Sequence, residues 1–167
     1  MRIIYLIIAS LLIFKGFAWE KFHSINGSCS IDFPQKPHFS HKVILFKDYT
    51  FISYDLYLSE LNQNAICMMI VAVYPEIINF DEQNDALEAF LNGIVSQNND
   101  KKIISADFSE FKDLNSLEFL VQDTDRFFKG RAIIKNEKLY LISMEYDKDI
   151  DIEKSFKSYL NSLEFFN

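Results

Sequence analysis

The chain has few of the residues that interrupt regular structure. Its 167 residues include only 4 glycines and 3 prolines, while 49% are apolar and 25% are charged. A disordered or linker-rich chain has the opposite balance, so the composition predicts one folded domain with a substantial core. So few glycines also leave no loop that could cradle a phosphate and no Gly-x-Ser-x-Gly turn for a serine nucleophile.

Residues that carry acid–base chemistry or bind metals are also scarce. The histidines are His23, His38 and His41, and the last two could share a metal only if their segment turns. No cluster of Cys, His and carboxylates accompanies them, although metal sites usually need such a set. A hydrolase would require one histidine to meet a serine or a carboxylate in a cleft. The sequence therefore predicts a protein that is not an enzyme, with no catalytic residues, metal or cofactor, and a hydrolase is the least favoured alternative.

An acidic segment at residues 147–153 (DKDIDIE) has two explanations. Its acids could bind calcium, but the segment lacks the glycine and the full ligand pattern of an EF-hand. Acids also stabilise the start of a helix, where the backbone N–H groups and the helix dipole are positive. We favour the helix start.

The chain has only two cysteines, Cys29 and Cys67. An even number in an exported protein permits one disulfide, so the pair is a candidate bridge. Both lie in strand-like runs, where a free cysteine is commonly a small buried apolar residue. Two buried thiols are therefore the alternative.

The N-terminal residues have the features of a signal peptide. Arg2 is followed by an uncharged run of 12 residues, IIYLIIASLLIF, which is too short to span a bilayer because a span takes about 20. Gly16 and Ala18 place small residues before a cleavage site after Ala18. We predict a signal peptide at 1–18, a single domain at 19–167, export to the periplasm or outside the cell, and no membrane span after removal. An uncleaved anchor is the alternative.

The charge of the chain argues against one class of partner. Removing residues 1–18 takes away Arg2 and Lys15 and no acid, which changes the net charge from −7 to −9. Such an acidic surface repels phosphate backbones, so no nucleic-acid partner is expected.

Hydrophobic patterns predict a mixed fold. Alternating or uncharged runs predict strands, and apolar residues at helical spacing predict helices near 81–96 and 149–160. The uncharged run 65–74 (AICMMIVAVY) is typical of a central strand buried on both faces. Asn26-Gly27 predicts a type I′ hairpin turn. The order βββββ-α-ββββ-α-β indicates the α+β class, a mostly antiparallel sheet with helices on both faces. The strands are predicted at 22–25, 28–33, 41–47, 51–59, 65–74, 102–111, 116–121, 126–135, 138–146 and 163–165.

Two surfaces are candidates for binding. A basic stripe on one predicted strand could contact an acidic protein, or could simply balance acidic neighbours; it consists of Arg126, Lys129, Arg131 and Lys135. Aromatic side chains could instead line a groove for a peptide or an apolar ligand, or could pack in the core. The aromatic candidates are Tyr54, Tyr57, Phe127, Phe128, Tyr140, Tyr146, Phe165 and Phe166.

The phrase LNSLEF occurs twice, at 114–119 and at 160–165. The flanking residues do not keep register and no third copy exists, so the chain is not a repeat array. We predict that Asn-Ser breaks the preceding structure in both copies and that the following Leu-x-Phe begins a strand.

Several short segments resemble the PsbP-like superfamily. They are SIDFP at 30–34 with Pro37 after it, the strand LYLI at 139–142, and the closing F-x-x-x-L-x-S-L-x-F at 156–165. The resemblance covers nearly all of residues 20–167 and extends to bacterial exported DcrB-like proteins. It implies an α/β/α sandwich with binding or assembly roles and no shared catalytic residues.

We therefore expect an exported, non-catalytic binding or assembly protein of the bacterial cell envelope, with an envelope protein as its partner. A carrier of small molecules or lipids with an aromatic-lined pocket is the alternative. The sequence leaves the oligomeric state open.

Overall fold

The computed structural model describes residues 19–45, 51–97 and 100–166. Two predicted features fall outside these ranges, the signal peptide at 1–18 and the hairpin turn at 48–50. Within them, ten strands and two α-helices follow one another in the predicted order, and the chain belongs to the α+β class.

A seven-stranded antiparallel sheet forms the centre of the fold. The strands are β1 (Glu20–Ser24), β2 (Cys29–Phe33), β3 (His38–Leu45), β4 (Phe51–Asn62), β5 (Ala65–Val73), β6 (Lys101–Phe111), β7 (Leu114–Asp123), β8 (Arg126–Lys135), β9 (Lys138–Asp147) and β10 (Glu164–Phe165). The large sheet has the order β3-β4-β5-β9-β8-β7-β6, so β3 and β6 are its edges. The sheet consists of two groups of consecutive strands, β3 to β5 and β6 to β9. Strand β9 joins the two groups by pairing with β5.

The second, smaller sheet is built from both ends of the domain. It has three strands in the order β1-β2-β10, all antiparallel. The hairpin predicted at Asn26-Gly27 forms, but its turn is not type I′, because Ser28 has a positive φ (47°) and Gly27 does not. Gly27 is required for a different reason: a Cβ at this position would lie 2.7 Å from the hydroxyl of Ser24 and 3.0 Å from the sulfur of Cys29.

The first helix, α1 (Gln83–Val95), begins later than its sequence predicts. A 3-10 turn at Phe80–Glu82 precedes it, and Asp81 lies within that turn instead of capping the helix.

The second helix, α2 (Glu153–Asn161), also begins later, at Glu153 instead of residue 149. The side chain of Asp151 accepts a hydrogen bond from the backbone N–H of Glu153 (3.0 Å). The acidic segment therefore supplies a helix start, the explanation that its sequence favoured.

The core has two parts that use alternate residues of the same strands. Leu139 and Leu141 of β9 belong to the first core, to which α1 contributes Leu87 and Leu91. The intervening residues of β9 belong to the second core, to which α2 and the small sheet contribute. Because successive side chains of a strand point to opposite faces, the two cores lie on opposite faces of the large sheet. The largest fully buried members of the second core are Tyr140, Tyr159, Phe33, Ile31 and Met69.

Two tyrosines of the second core are fully buried, and replacing each by phenylalanine should have different effects on the free energy of unfolding. The Tyr140 hydroxyl donates to the Gly27 carbonyl oxygen (2.7 Å), so Tyr140→Phe should lower the free energy of unfolding by about 1–2 kcal/mol. The Tyr159 hydroxyl is buried with no hydrogen-bond partner among the described residues, so Tyr159→Phe should be neutral or stabilise by up to about 1 kcal/mol. Urea unfolding of the two variants measures both; equal losses would mean that Tyr159 does have a partner.

Candidate binding groove

An apolar groove lies on the same sheet face as the first core. It has a volume of about 920 Å³, and α1 forms one wall through Phe90 and Ile94. Its floor consists of aliphatic and aromatic side chains of β3, β4 and β5, most of them half-buried: Ile44, Ile52, Tyr54, Leu56, Met68, Ile70 and Ala72.

The groove exists because of where α1 packs. The helix contacts β6, β7 and β8, and the buried Leu87 and Leu91 share their core with Phe119 and other residues of those strands. The floor residues of β4 and β5 pair directly across the two strands, with Tyr54 opposite Ala72 and Leu56 opposite Ile70. Their side chains therefore form one continuous apolar surface beside the helix.

The structure corrects the prediction for β5. Its uncharged run was expected to be buried on both faces, but only one face is. Cys67, Met69 and Val71 are buried in the second core, while Met68 and Ile70 on the other face are half-buried in the groove. The sequence signal that could have revealed the groove was the apolar residue at every position of β5, on both faces of the strand.

One end of the groove is polar and carries both charges. Lys101 and Arg126 lie there with Asp125 and Glu145. Arg126 forms ion pairs with Glu145 (3.1 Å) and with Asp147 (3.2 Å). The amine of Lys101 donates to the carbonyl oxygen of Ile94 at the end of α1 (3.3 Å). The groove thus runs from an apolar floor to a hydrogen-bonding end, which suits an amphipathic ligand.

The structure does not bring the four residues of the basic stripe together. Arg126 lies at the groove, on the same face of β8 as Phe128. Lys129, Arg131 and Lys135 have the opposite strand parity and point toward the second core. Only Arg126 is therefore part of the concave site.

The three other cations of the stripe have partners within the chain. Lys129 pairs with Glu153 of α2 (2.7 Å), and Arg131 pairs with Glu118 of β7. The amine of Lys135 lies 5.0 Å from the ring centre of Phe165. These contacts join β8 to its neighbours. That the stripe binds a partner stays a prediction.

The histidines lie apart, and one of them contacts a carboxylate. His41 Nδ1 is 2.6 Å from Asp55 Oδ1, and the carboxylate is buried although the imidazole is about half exposed. Asp55 also accepts hydrogen bonds from the Asn26 amide (2.9 Å) and the Tyr57 hydroxyl (3.3 Å). His41 and Asp55 face each other on β3 and β4, outside the groove.

The remaining histidines take no part in this pair. His38 lies on the opposite face of β3 from His41, and His23 stacks on Phe166 with 5.8 Å between ring centres. A hydrolase needs its histidine in a cleft beside a nucleophile. Among the described residues the contact of His41 is structural, because it ties β3 to β4.

Cys29 and Cys67 are both completely buried, and their sulfur atoms are not bonded to each other in this structure. Burial raises the pKa of Cys29 and of Cys67 to about 12. A thiol with such a pKa has little thiolate at neutral pH and is a poor nucleophile. The disulfide between the two stays a prediction.

The aromatic candidates divide between the groove and the core. Tyr54 and Phe128 line the groove. Phe127 borders it, but its ring packs on Tyr146 of the second core, with 5.8 Å between ring centres. Tyr57, Tyr140 and Tyr146 are buried in the second core. Sequence reasoning therefore found part of the groove but missed its aliphatic floor.

The described part of the chain has no cluster of metal-binding side chains and no helix that could span a membrane. No group of three or more His, Cys, Asp or Glu side chains could hold a metal ion there. Neither helix in these ranges is long and apolar enough to cross a membrane.

Comparison with known proteins identifies the fold. No family model matches the chain, and no curated protein matches it in sequence. The structure is similar to the solution structure of cyanobacterial PsbP from Synechocystis sp. PCC 6803, with a TM-score of 0.62 and 11% sequence identity. The similarity covers 92% of this chain and 96% of that chain. The chain therefore has a PsbP-like fold, as the short segments of its sequence predicted.

Proposed function

We propose that the protein is an exported, non-catalytic binding or assembly protein of the cell envelope, and that its groove holds an apolar helical segment of a protein partner. The signal-like segment at 1–18 supports export. We also infer an α/β/α sandwich in which each helix covers one face of the large sheet. The groove is then the part of the α1 layer that the described residues leave open.

The observation that carries the proposal is the shape and chemistry of the groove. Neighbouring strands lie about 4.8 Å apart, so β3, β4 and β5 present a surface roughly 14 Å wide. A helix with its side chains is about 10–12 Å across, so one helix fits beside α1. It would pack on Leu56 and Ile70 as α1 packs on Leu117 and Phe119. Helix-in-groove binding uses an apolar helix face in just such a cleft.

A carrier function is the second candidate, and the volume of the groove favours it. Small-molecule sites have volumes of roughly 300–1,000 Å³, and this groove has about 920 Å³. An acyl chain could lie along the floor with a polar head near Arg126 and Glu145.

A photo-crosslinking residue placed in the groove tests the proposal. Benzoylphenylalanine at position 56 should capture a protein in envelope extracts of the native cells, because Leu56 lines the floor. The control is position 58, since Leu58 lies on the same face of the same strand, is equally half-buried, and does not line the groove. Leu56→Lys in a competing unlabelled chain should weaken competition about tenfold or more, and Leu58→Lys should not.

The same experiment distinguishes the alternatives. A lipid adduct at position 56 would favour the carrier, and equal adducts at both positions would contradict a groove-specific partner. Turnover of an ester, peptide or glycan by the purified protein would contradict the non-catalytic role. Export is tested on the same cells by fractionation and by the intact mass, which should correspond to a chain that begins at Trp19.

A further inference from the structure

The two edges of the large sheet differ in how well they are protected. A strand at an edge has N–H and C=O groups that can pair with another chain, and proteins usually block such edges with bulges, charges or prolines. The edge strand β6 has an interruption of register between Ile103 and Ser105, and it carries acids and lysines along its length. The bulge and the charges therefore protect β6 against pairing with another chain.

The edge strand β3 has only one of these protections, the charge of Lys42. Its eight residues pair with β4 in one unbroken register, and none of them is proline or acidic. All eight are exposed, and no other described strand pairs with its outer side. Among the described residues, nothing therefore blocks a further strand from pairing with β3.

The side chains of β3 combine apolar surface with positive charge. Phe39, Val43 and Leu45 share one face and have 58%, 57% and 66% of their surface exposed. The strand also carries Lys42 with two histidines and no acid, whereas the whole chain has a net charge of −7. An apolar, locally basic edge on an acidic protein attracts an acidic segment and disfavours most of the protein's own surface.

The strand is also held firmly in place from its inner side. The buried carboxylate of Asp55 contacts His41 (2.6 Å) and Asn26 (2.9 Å), which links β3 to β4 and to the β1–β2 turn. The ring centres of Phe39 and Tyr57 lie 5.2 Å apart. An edge fixed in its extended form loses little conformational entropy when a further strand joins it.

We propose that β3 is a docking edge for an extended, acidic segment of a partner protein, which adds a strand to the large sheet. Main-chain hydrogen bonds provide affinity in this mode, and alternate side chains provide specificity. The added strand places apolar side chains beside Phe39, Val43 and Leu45 and carboxylates near Lys42. This surface goes beyond the groove and does not require it.

Selection of random ten-residue peptides displayed on phage, with the purified mature chain as bait, tests the proposal. Enriched peptides should alternate apolar and acidic residues. In the complex, amide hydrogen exchange should slow in β3 and not in β6. Lys42→Glu should weaken the binding of these peptides about tenfold or more, because a carboxylate then meets a carboxylate. The matched control is Lys102→Glu, which makes the same charge change on the other edge strand and should leave the affinity unchanged.

Three results would overturn the proposal. They are the failure to select any peptide that protects β3, equal weakening by Lys42→Glu and Lys102→Glu, and a dimer in sedimentation that Lys42→Glu dissociates, since the occupant would then be a second copy. The groove variant Ile70→Lys lies on β5, which does not pair with β3, and should leave peptide binding at β3 intact, so the outcome for the groove and the outcome for the edge can be told apart.

Discussion

The reduced protein is expected to lose most of its stability as the pH rises from 9 to about 11. The thiols of Cys29 and Cys67 have an ordinary pKa of 9.0, and burial raises the pKa of each to about 12 in the folded chain. Above pH 9 the unfolded chain releases these protons and the folded chain retains them. Each thiol then removes about 1.4 kcal/mol of unfolding free energy per pH unit, or about 5 kcal/mol for the two by pH 11. The whole free energy of unfolding of a domain is only about 5–15 kcal/mol.

Buried tyrosines add to this loss at higher pH. Burial raises the pKa of Tyr140 and of Tyr159 above the ordinary value of 10.0. Their contribution has the same sign, because a folded-state pKa above the unfolded one gives stability that is complete below the unfolded pKa and disappears as the pH rises. We therefore expect the loss to begin near pH 9 and to steepen above pH 10.

Urea unfolding between pH 7 and pH 11, with a reductant present, measures the effect. The control is the double variant Cys29→Ala/Cys67→Ala, in which the loss between pH 9 and pH 10 should be much smaller whatever its stability at pH 7. If the reduced wild type has as flat a profile as the double variant, the thiols do not titrate as burial requires. A profile that is flat between pH 9 and pH 10 before reduction and steep in that range after it would establish the predicted disulfide.

Substitution of Asp55 by alanine is expected to cost about 3 kcal/mol, because hydrogen bonds to a buried charged group are among the strongest in a protein. The carboxylate has only 3% of its surface exposed and receives hydrogen bonds from three side chains, those of Asn26, His41 and Tyr57. Removing it takes an acceptor from the buried Tyr57 hydroxyl and removes the side-chain contacts that link β4 to His41 of β3 and to Asn26 of the β1–β2 turn. The largest increase in hydrogen exchange should be in β3.

Two further variants should lose less unfolding free energy than Asp55→Ala. Asp55→Asn keeps one acceptor oxygen and should cost about half as much. His41→Ala should cost about 1 kcal/mol or less, because the imidazole is 46% exposed and water replaces its contact. Chemical denaturation of the three variants gives the order. A loss from His41→Ala as large as that from Asp55→Ala would contradict the assignment of Asp55 as the centre of this network.

Much of the fold could be predicted from short segments, because the pattern of apolar residues within a segment is a local property. Alternation in β4 and β9 and the apolar stripe of α1 gave the element order and the α+β class. The second LNSLEF copy ends α2 and enters β10 as expected. The first copy differs from its prediction, because β7 already begins at Leu114 and its Asn-Ser breaks nothing. The same six residues thus have different roles in two tertiary contexts.

The binding surfaces depended on contacts between distant segments. The pairing of β9 with β5 sets the strand order of the sheet. That order, together with the packing of α1 on β6, β7 and β8, leaves the apolar floor of β4 and β5 uncovered by the residues that the structure describes. The partners of the basic stripe also come from other elements, since Glu153 of α2 pairs with Lys129 and Glu118 of β7 pairs with Arg131.

The sequence by itself determined the class, the order of the elements and the PsbP-like fold, because each follows from residue spacing along the chain. The tertiary structure alone decided which apolar faces stay uncovered, which charges are paired and which strand lies at an edge. These properties depend on long-range packing, which brings together residues such as Lys129 and Glu153 that no local pattern relates.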